Sequence, residues 1–403
     1  MIKVLIVDDN VERIREIASC IDNGMCSIDY VTTKNEALCQ LELNQYDLAI
    51  IDIMLPENIS SLNPSKTGGI DLITDIEKRV RIKAPFYIVG ITAYDDMMEE
   101  NCDFFYKRII PIFPWKKGDD SWKEKFLNKI NYINLVKKNT PPKADIAIIT
   151  AVPEEFEAIR ASFGNGQKIN IHNDPETYFL VDFKNSSGKS VKIVMALLPT
   201  MGLTAATNMT TKMIYNFSPE KIFMVGICGG IKGEVSLGDI VVATNTWDYG
   251  SGKIKPPQNG DEGYYDFEPS PEQISVEPDM IDNLKHSSKN IIKQVTDEWN
   301  SIHKAILCPN VLLGPMPSGA SVICDAELFK RIVKPQHRKC LGLDMETYGI
   351  YYAVQHSSCN PIKFLSIKAV SDYADIDKND KYHEQCCYFS SNFLKKCIYD
   401  DIL

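Results

Sequence analysis

The most restrictive feature of this chain is an alternation. Short Val/Ile-rich runs such as "KVLIV" (3–7), "LAIID" (48–52) and "IAIIT" (146–150) are separated by amphipathic stretches. Continuous apolar runs of this length fit strands buried on both faces, which need helices above and below them. The pattern therefore predicts βα units and largely parallel sheets, an α/β fold. In the first third, strands are expected near 3–7, 27–31, 48–53, 86–91 and 108–113, with helices between them and a last helix over about 121–138. Five such units make a five-stranded doubly wound domain. The stretch "VKKNTPPKAD" (136–145) then ends the helix at its Pro-Pro. The expected division is a first domain over 1–136, a linker over 137–144 and a second α/β domain with a central mixed sheet over 145–403.

In the second domain, strands are expected near 145–150, 177–183, 191–197, 221–225, 238–246, 307–314 and 362–370. Helices are expected near 154–163, 203–216, 325–334, 345–356 and 383–400, and the Gly/Pro-rich segment 247–273 as a long surface excursion. The hydrophobic share of 44% and charged share of 24% are those of a globular protein. No apolar run reaches the ~18–20 residues that span a bilayer, so no membrane association is expected. The acids that follow "MIKVLIV" make it a first strand rather than a signal peptide. Twelve cysteines without C-x-x-C spacing suit a reducing, cytoplasmic setting. A net charge of −10 argues against nucleic acid as a partner, because phosphate backbones require a basic face.

Asp8 and Asp9 follow the first strand and Asp52 ends the third, so all three fall on one rim of a doubly wound sheet. Acids at strand ends are common without a ligand, but three carboxylates brought together repel unless a cation sits among them. An all-oxygen set on so few side chains suits Mg²⁺. The motifs "VLIVDDN", "DIMLP", "GGIDLI" and "GITA" occur in the order and spacing of response-regulator receiver domains, which residues 1–136 closely resemble. That resemblance implies Asp52 as phosphoacceptor, Mg²⁺ held by Asp8, Asp9 and Asp52, Thr92 as switch hydroxyl, and a histidine kinase or phosphotransfer protein as partner. The family's Lys-Pro after the fifth strand is missing. "IFPWKKGDD" stands there, which leaves Lys116, or its neighbour Lys117, as the candidate phosphate-pairing lysine.

Four segments of the second domain combine chemistry with unusual placement: "TAVPEEFEAI" (150–159), "VGICGG" (225–230), "DMETYG" (344–349) and "KAVSDYAD" (368–375). Singly, Glu155 reads as a first-turn acid and Asp372 as a helix cap. Glu346 is harder to dismiss, since a carboxylate in the apolar run "LGLDMETYGIYYAV" needs a partner. With "LGDIVVA" and "SGASVI" between them, the four segments resemble the purine nucleoside phosphorylase/uridine phosphorylase superfamily, in particular its methylthioadenosine/S-adenosylhomocysteine nucleosidase branch.

The resemblance implies cleavage of an N-glycosidic bond, with no cofactor for that chemistry. Glu346 would accept from the ribose hydroxyls with Met345 packed on the sugar, Asp372 would protonate the leaving purine, Ser371 would orient Asp372, and Glu155 would activate water. Cys228, Gly229, Val322 and Ile323 would line the purine slot. "LLPTMGLTAAT" (197–207) carries no Arg or Lys to hold phosphate, which favours hydrolysis over phosphorolysis. Lys232 and Lys253, with Lys255, are either solvated loop lysines or a cradle for a 5′-polyphosphate. The pairing of the two domains is similar to the effector of the Detocs antiphage defensive two-component systems. That implies an oligomeric ATP nucleosidase under phosphorelay control, with a plain nucleosidase or phosphorylase acting on methylthioadenosine or purine nucleosides as the alternative.

Overall fold

The computed structural model describes all residues except 22–23, 61–64, 94, 117, 140, 257–265, 305–307, 322, 324–328, 330, 358–360 and 374–379. The side chains of 95–100, 138–139 and 380 are likewise outside the description. Two compact units are present, Met1–Thr140 and Pro141–Leu403.

The first unit runs β1 (Ile2–Val7), α1 (Val11–Ile21), β2 (Cys26–Val31), α2 (Lys34–Leu43), β3 (Leu48–Asp52), α3 (Gly68–Lys78), β4 (Tyr87–Thr92), α4 (Asp95–Lys107), β5 (Ile112–Pro114) and α5 (Ser121–Asn139). Its five strands lie in the order β2-β1-β3-β4-β5, all parallel. Leu48–Asp52 is buried throughout, as a central strand with helices on both faces must be. Gly69 lets α3 meet that strand, because a Cβ there would stand 2.0 Å from the Asp52 carbonyl oxygen. Two sequence expectations shift. The fifth strand begins later than expected, at Ile112, and α5 continues to Asn139 through residues taken as linker. Val136, Lys137, Lys138 and Asn139 are all compatible with helix, and the first residue that is not is Pro141, followed by Pro142.

The second unit begins with β6 (Ile146–Thr150), α6 (Pro153–Phe163), β7 (Gln167–Asn170), β8 (Thr177–Lys184), β9 (Ser190–Leu197), α7 (Leu203–Phe217) and β10 (Lys221–Gly230). After β11 (Ile240–Ala243) come the short β12 (Asn245–Thr246), β13 (Gly252–Lys255), β14 (Asp266–Pro269) and β15 (Ile274–Ser275), and then α8 (Pro278–His303). β16 (Val311–Gly314), β17 (Gly342–Leu343), a helix Thr347–Ser357, β18 (Lys363–Asp372) and a last helix His383–Tyr399 complete it. The main sheet is mixed and nine-stranded, in the order β16-β11-β18-β10-β6-β9-β8-β7, with β17 paired to β10.

The middle of that sheet, β18-β10-β6, is parallel, so three strand ends open on the same rim. α8, 26 residues long, was not expected from the sequence. It buries Met280, Ile281, Leu284, Ile291, Ile292, Val295 and Trp299 on one stripe, and the polar "KHSSK" in its middle masks that period. The excursion 247–273 carries a β13–β14 hairpin. The helix expected over 325–334 lies largely outside the described residues. No described helix is long and apolar enough to cross a membrane.

Candidate active site

The rim of β6, β10 and β18 encloses a cavity of about 350 Å³. β6 and β18 each lead into an acid-bearing segment, β10 contributes Ile227, Cys228 and Gly229, and Asp344 and Glu346 follow β17, which pairs with β10. β6 runs through Thr150 into α6, whose first turn carries Glu155. The Glu155 carboxylate accepts the backbone N–H groups of Ala151 at 2.7 Å, Val152 at 3.2 Å and Ile227 at 2.8 Å. Those three amides fix its orientation, tying the start of α6 to the end of β10. Gly226 makes this possible, because a Cβ at that position would meet Glu155 Oε1 at 1.9 Å.

β18 ends in Ser371 and Asp372, both buried, with Ser371 Oγ donating to Asp372 Oδ2 at 3.1 Å. The pairing of β10 with β18 shifts register between Cys228 and Gly229, opposite Val370 and Asp372. Cys228, Gly229, Ile323, Met345, Glu346, Ser371, Asp372 and Glu155 all line the cavity. The Cys228 thiol is pushed well above its ordinary pKa, first by burial, so it is a wall and not a nucleophile. Lys232 and Lys253 do not line it. Lys232 Nζ lies 5.8 Å from the ring of Tyr373, the neighbour of Asp372. Lys253 is exposed on the β13–β14 hairpin, where Lys255 is ion-paired to Glu268. Val322 falls outside the described residues.

Glu346 holds two partners. Its Oε1 accepts from Gly202 N–H, at the N-terminus of α7, at 3.1 Å, and its Oε2 lies 3.6 Å from the Nζ of Lys368. Lys368 is fully buried in β18 and stands equally 3.6 Å from Asp344. Burial alone pulls this ammonium down, but the carboxylates of Glu155, Glu346 and Asp344 outweigh it and its pKa is raised. Asp344, also buried, accepts from Ser318 Oγ at 2.6 Å and from the Thr347 N–H at 3.2 Å. Burial, with Asp344 and Glu155 adding and Lys368 opposing, pushes Glu346 up to about 7. Lys368, Asp344 and the cavity-lining His383 were absent from the sequence-derived site. The sequence signal for Lys368 is a cation at an interior position of the apolar strand "KFLSIKAVSD", whose other lysine, Lys363, begins it.

In the first unit, Asp8, Asp9 and Asp52 bring carboxylate oxygens within 4.8 Å of one another, and this all-oxygen set has the chemistry of a Mg²⁺ site. Thr92, buried, ends the neighbouring β4. Burial first, then Asp8 and Asp9 against Arg13, pushes Asp52 up to about 7. Lys116 is exposed in the loop past β5, its carbonyl accepting from Asp119 N–H, and Lys117 lies outside the described residues. Arg13 of α1, which the sequence did not single out, is ion-paired with Asp52.

The phosphorylase superfamily profile matches residues 145–398, the span of this sheet and cavity. The chain belongs to the phosphorylase superfamily. It is similar along nearly its whole length to the uncharacterized protein y4jS of Sinorhizobium fredii, 30% identical over 97% of each chain. It is 22% identical to the ATP nucleosidase Cap17 of Escherichia coli over 59% of this chain, a match that spans about half of that relative (48%). A 5′-methylthioadenosine/S-adenosylhomocysteine nucleosidase of Buchnera aphidicola is 25% identical over 57% of this chain and 84% of its own. Among solved structures, the 5′-methylthioadenosine/S-adenosylhomocysteine nucleosidase of Neisseria meningitidis covers 63% of this chain and 98% of its own at 18% identity, with a TM-score of 0.47.

Glu346 yields a prediction with a definite sign. Its folded pKa of about 7 exceeds the ordinary 4.5, so the folded state holds this proton more tightly than the unfolded chain does. The associated stability is full below pH 4.5 and is lost as pH rises through about 7. Urea denaturation from pH 5 to pH 8 should show the wild type losing about 1–3 kcal/mol relative to Glu346→Gln. A difference that stays constant across that range would mean the carboxyl is not perturbed.

Proposed function

We propose that the second unit hydrolyses the N-glycosidic bond of an adenine nucleotide, with ATP as its substrate, and that phosphorylation of Asp52 in the first unit switches it on. The observation that carries the hydrolase reading is the convergence of Glu155, Glu346 and Asp372, from three strand ends, on one cavity. As the C1′–N9 bond breaks, its electron pair goes to the purine, and Asp372, oriented by Ser371, delivers a proton at N7. Glu346 accepts from the ribose hydroxyls and faces the positive charge that develops on the sugar. Met345 packs on the ribose. Glu155 takes a proton from water as its oxygen bonds to C1′. The products are adenine and ribose 5′-triphosphate.

Water rather than phosphate suits this site. No Arg or Lys is among the described residues lining the cavity, while Glu154, Glu155, Asp344, Glu346 and Asp372 are. Inorganic phosphate on the nucleophile side would meet the Glu155 carboxylate with no lining cation among the described residues to offset it. ATP as substrate is supported by the Escherichia coli relative, and methylthioadenosine, the alternative, by the Buchnera aphidicola one. The control reading rests on the receiver-like motifs and on the cluster of Asp8, Asp9 and Asp52 beside Thr92. Mg²⁺ held by those carboxylates would supply charge neutralisation at the phosphoacceptor. An acyl phosphate on Asp52 adds about −1.5 to −2 in place of a single negative charge.

Three outcomes follow. Asp372→Asn and Glu155→Gln should each lower adenine release by about 10²–10⁴-fold. Glu155→Gln should also cost about 1–3 kcal/mol of stability, because Gln cannot accept from both backbone clusters. Near-normal turnover by either folded variant overturns the site. Second, adenine should form at full rate in phosphate-free buffer, with a free ribosyl product. A strict phosphate requirement would make this a phosphorylase. Third, wild type and Asp52→Asn are to be compared on ATP, AMP, adenosine and methylthioadenosine, with and without acetyl phosphate. Only wild type with the donor should convert ATP rapidly; equal activity in all samples would mean Asp52 is no switch.

A further inference from the structure

The acidic pocket of the first unit already contains a cation, supplied by the chain itself. Arg13 is buried, and its guanidinium donates to both carboxylate oxygens of Asp8, through Nε to one and through Nη2 to the other at 2.8 Å. The same Nη2 donates to Asp52. Asp8 Oδ1 also accepts the Asn10 N–H at 2.8 Å, so little of its acceptor capacity is left.

The first residue past β5, ahead of the candidate lysine Lys116, is Trp115. Trp115 is locked there. Its backbone N–H donates to the Thr92 carbonyl at 2.7 Å and its indole N–H to Glu16 at 3.1 Å. The Trp115 ring lies 5.7 Å from the Arg13 guanidinium carbon, close enough for a cation–π contact.

A divalent ion shared by Asp8 and Asp52 would compete for the same lone pairs. Mg²⁺ takes carboxylate oxygens at about 2.0–2.1 Å and tolerates little distortion. Two cations on one pair of buried oxygens repel each other strongly. Arginine cannot relieve this by losing its proton, so one of the two must leave.

We propose that Arg13 is the resident cation of this pocket, and that a divalent ion enters only by displacing it from Asp8. The identity of the ion as Mg²⁺ rests on the receiver reading of the first unit. Once Asp52 carries a phosphoryl group, the added negative charge gives the displaced guanidinium a new bidentate partner beside its old one. Arg13 is then a positioning residue for the phosphoacceptor, in the role the sequence reading gave to Lys116.

The test is calorimetric titration of Mg²⁺ into the full-length wild type, Arg13→Met and Arg13→Lys, with Asp8→Asn as the blank. Arg13→Met should bind Mg²⁺ at least about tenfold more tightly than wild type, with Arg13→Lys between them. Equal or weaker binding by Arg13→Met overturns the proposal. If circular dichroism shows that Arg13→Met does not fold, Arg13→Lys decides on the same terms: tighter than wild type supports the proposal, and equal or weaker overturns it. Intact mass after acetyl phosphate treatment reports separately on Asp52. Phosphate on the wild type with equal Mg²⁺ affinities removes the Arg13 inference alone. A tenfold gain in affinity without phosphate on any variant leaves Arg13 as resident cation and removes the phosphoacceptor reading.

Discussion

Lys368 is the group on which the second unit's cavity depends. Its Nζ is fully buried in β18, 3.6 Å from the carboxylates of both Asp344 and Glu346, and Glu155 also acts to raise its pKa. Like charges gathered in a low-dielectric site repel, and a buried charge left without its partner costs about 3–5 kcal/mol. The adjacency of β18, β10 and β6 brings the acids together, and the ammonium beneath them makes the gathering tolerable. Without that cation, the same strand ends would call for apolar residues and no site would form.

The two units settle a similar electrostatic problem in different ways. In the first, a guanidinium contacts Asp8 and Asp52 directly and occupies their acceptors. In the second, an ammonium stays 3.6 Å from two carboxylates and makes no hydrogen bond among the described residues. A planar fork closes a pocket by bidentate pairing, whereas a point charge set back from the acids compensates them and leaves their lone pairs to a ligand. The first arrangement suits a site that must be opened, and the second a site ready to receive.

Much of this was legible in the sequence. The apolar runs located the strands of the central sheets, and the four spaced segments contained Glu155, Cys228, Gly229, Met345, Glu346, Ser371 and Asp372, which the fold brings around one cavity. The two cations that hold the acids in place were not legible. Arg13 sits on an amphipathic helix, where an arginine ordinarily reaches solvent, and only the tertiary contact with Asp8 and Asp52 reveals its burial. Lys368 stands in a strand read for its apolar neighbours. Lys232 and Lys253 attracted notice because glycine-rich loops and lysines suit phosphates, yet neither lines the cavity. α8 was hidden by a polar interruption that one helical face can carry without losing its buried stripe.

The clamp on Glu155 carries a consequence for evolution as much as for experiment. The carboxylate that faces the cavity also crosslinks two elements far apart in sequence, through the amides of Ala151, Val152 and Ile227. Gly226 is kept small by that same side chain. A descendant that abandoned the chemistry could not discard this acid freely, for it would loosen the junction of α6 with the central strand β10 in doing so. Persistence of Glu155 in a relative is therefore evidence of a preserved architecture first and of a preserved reaction only when Asp372 persists with it.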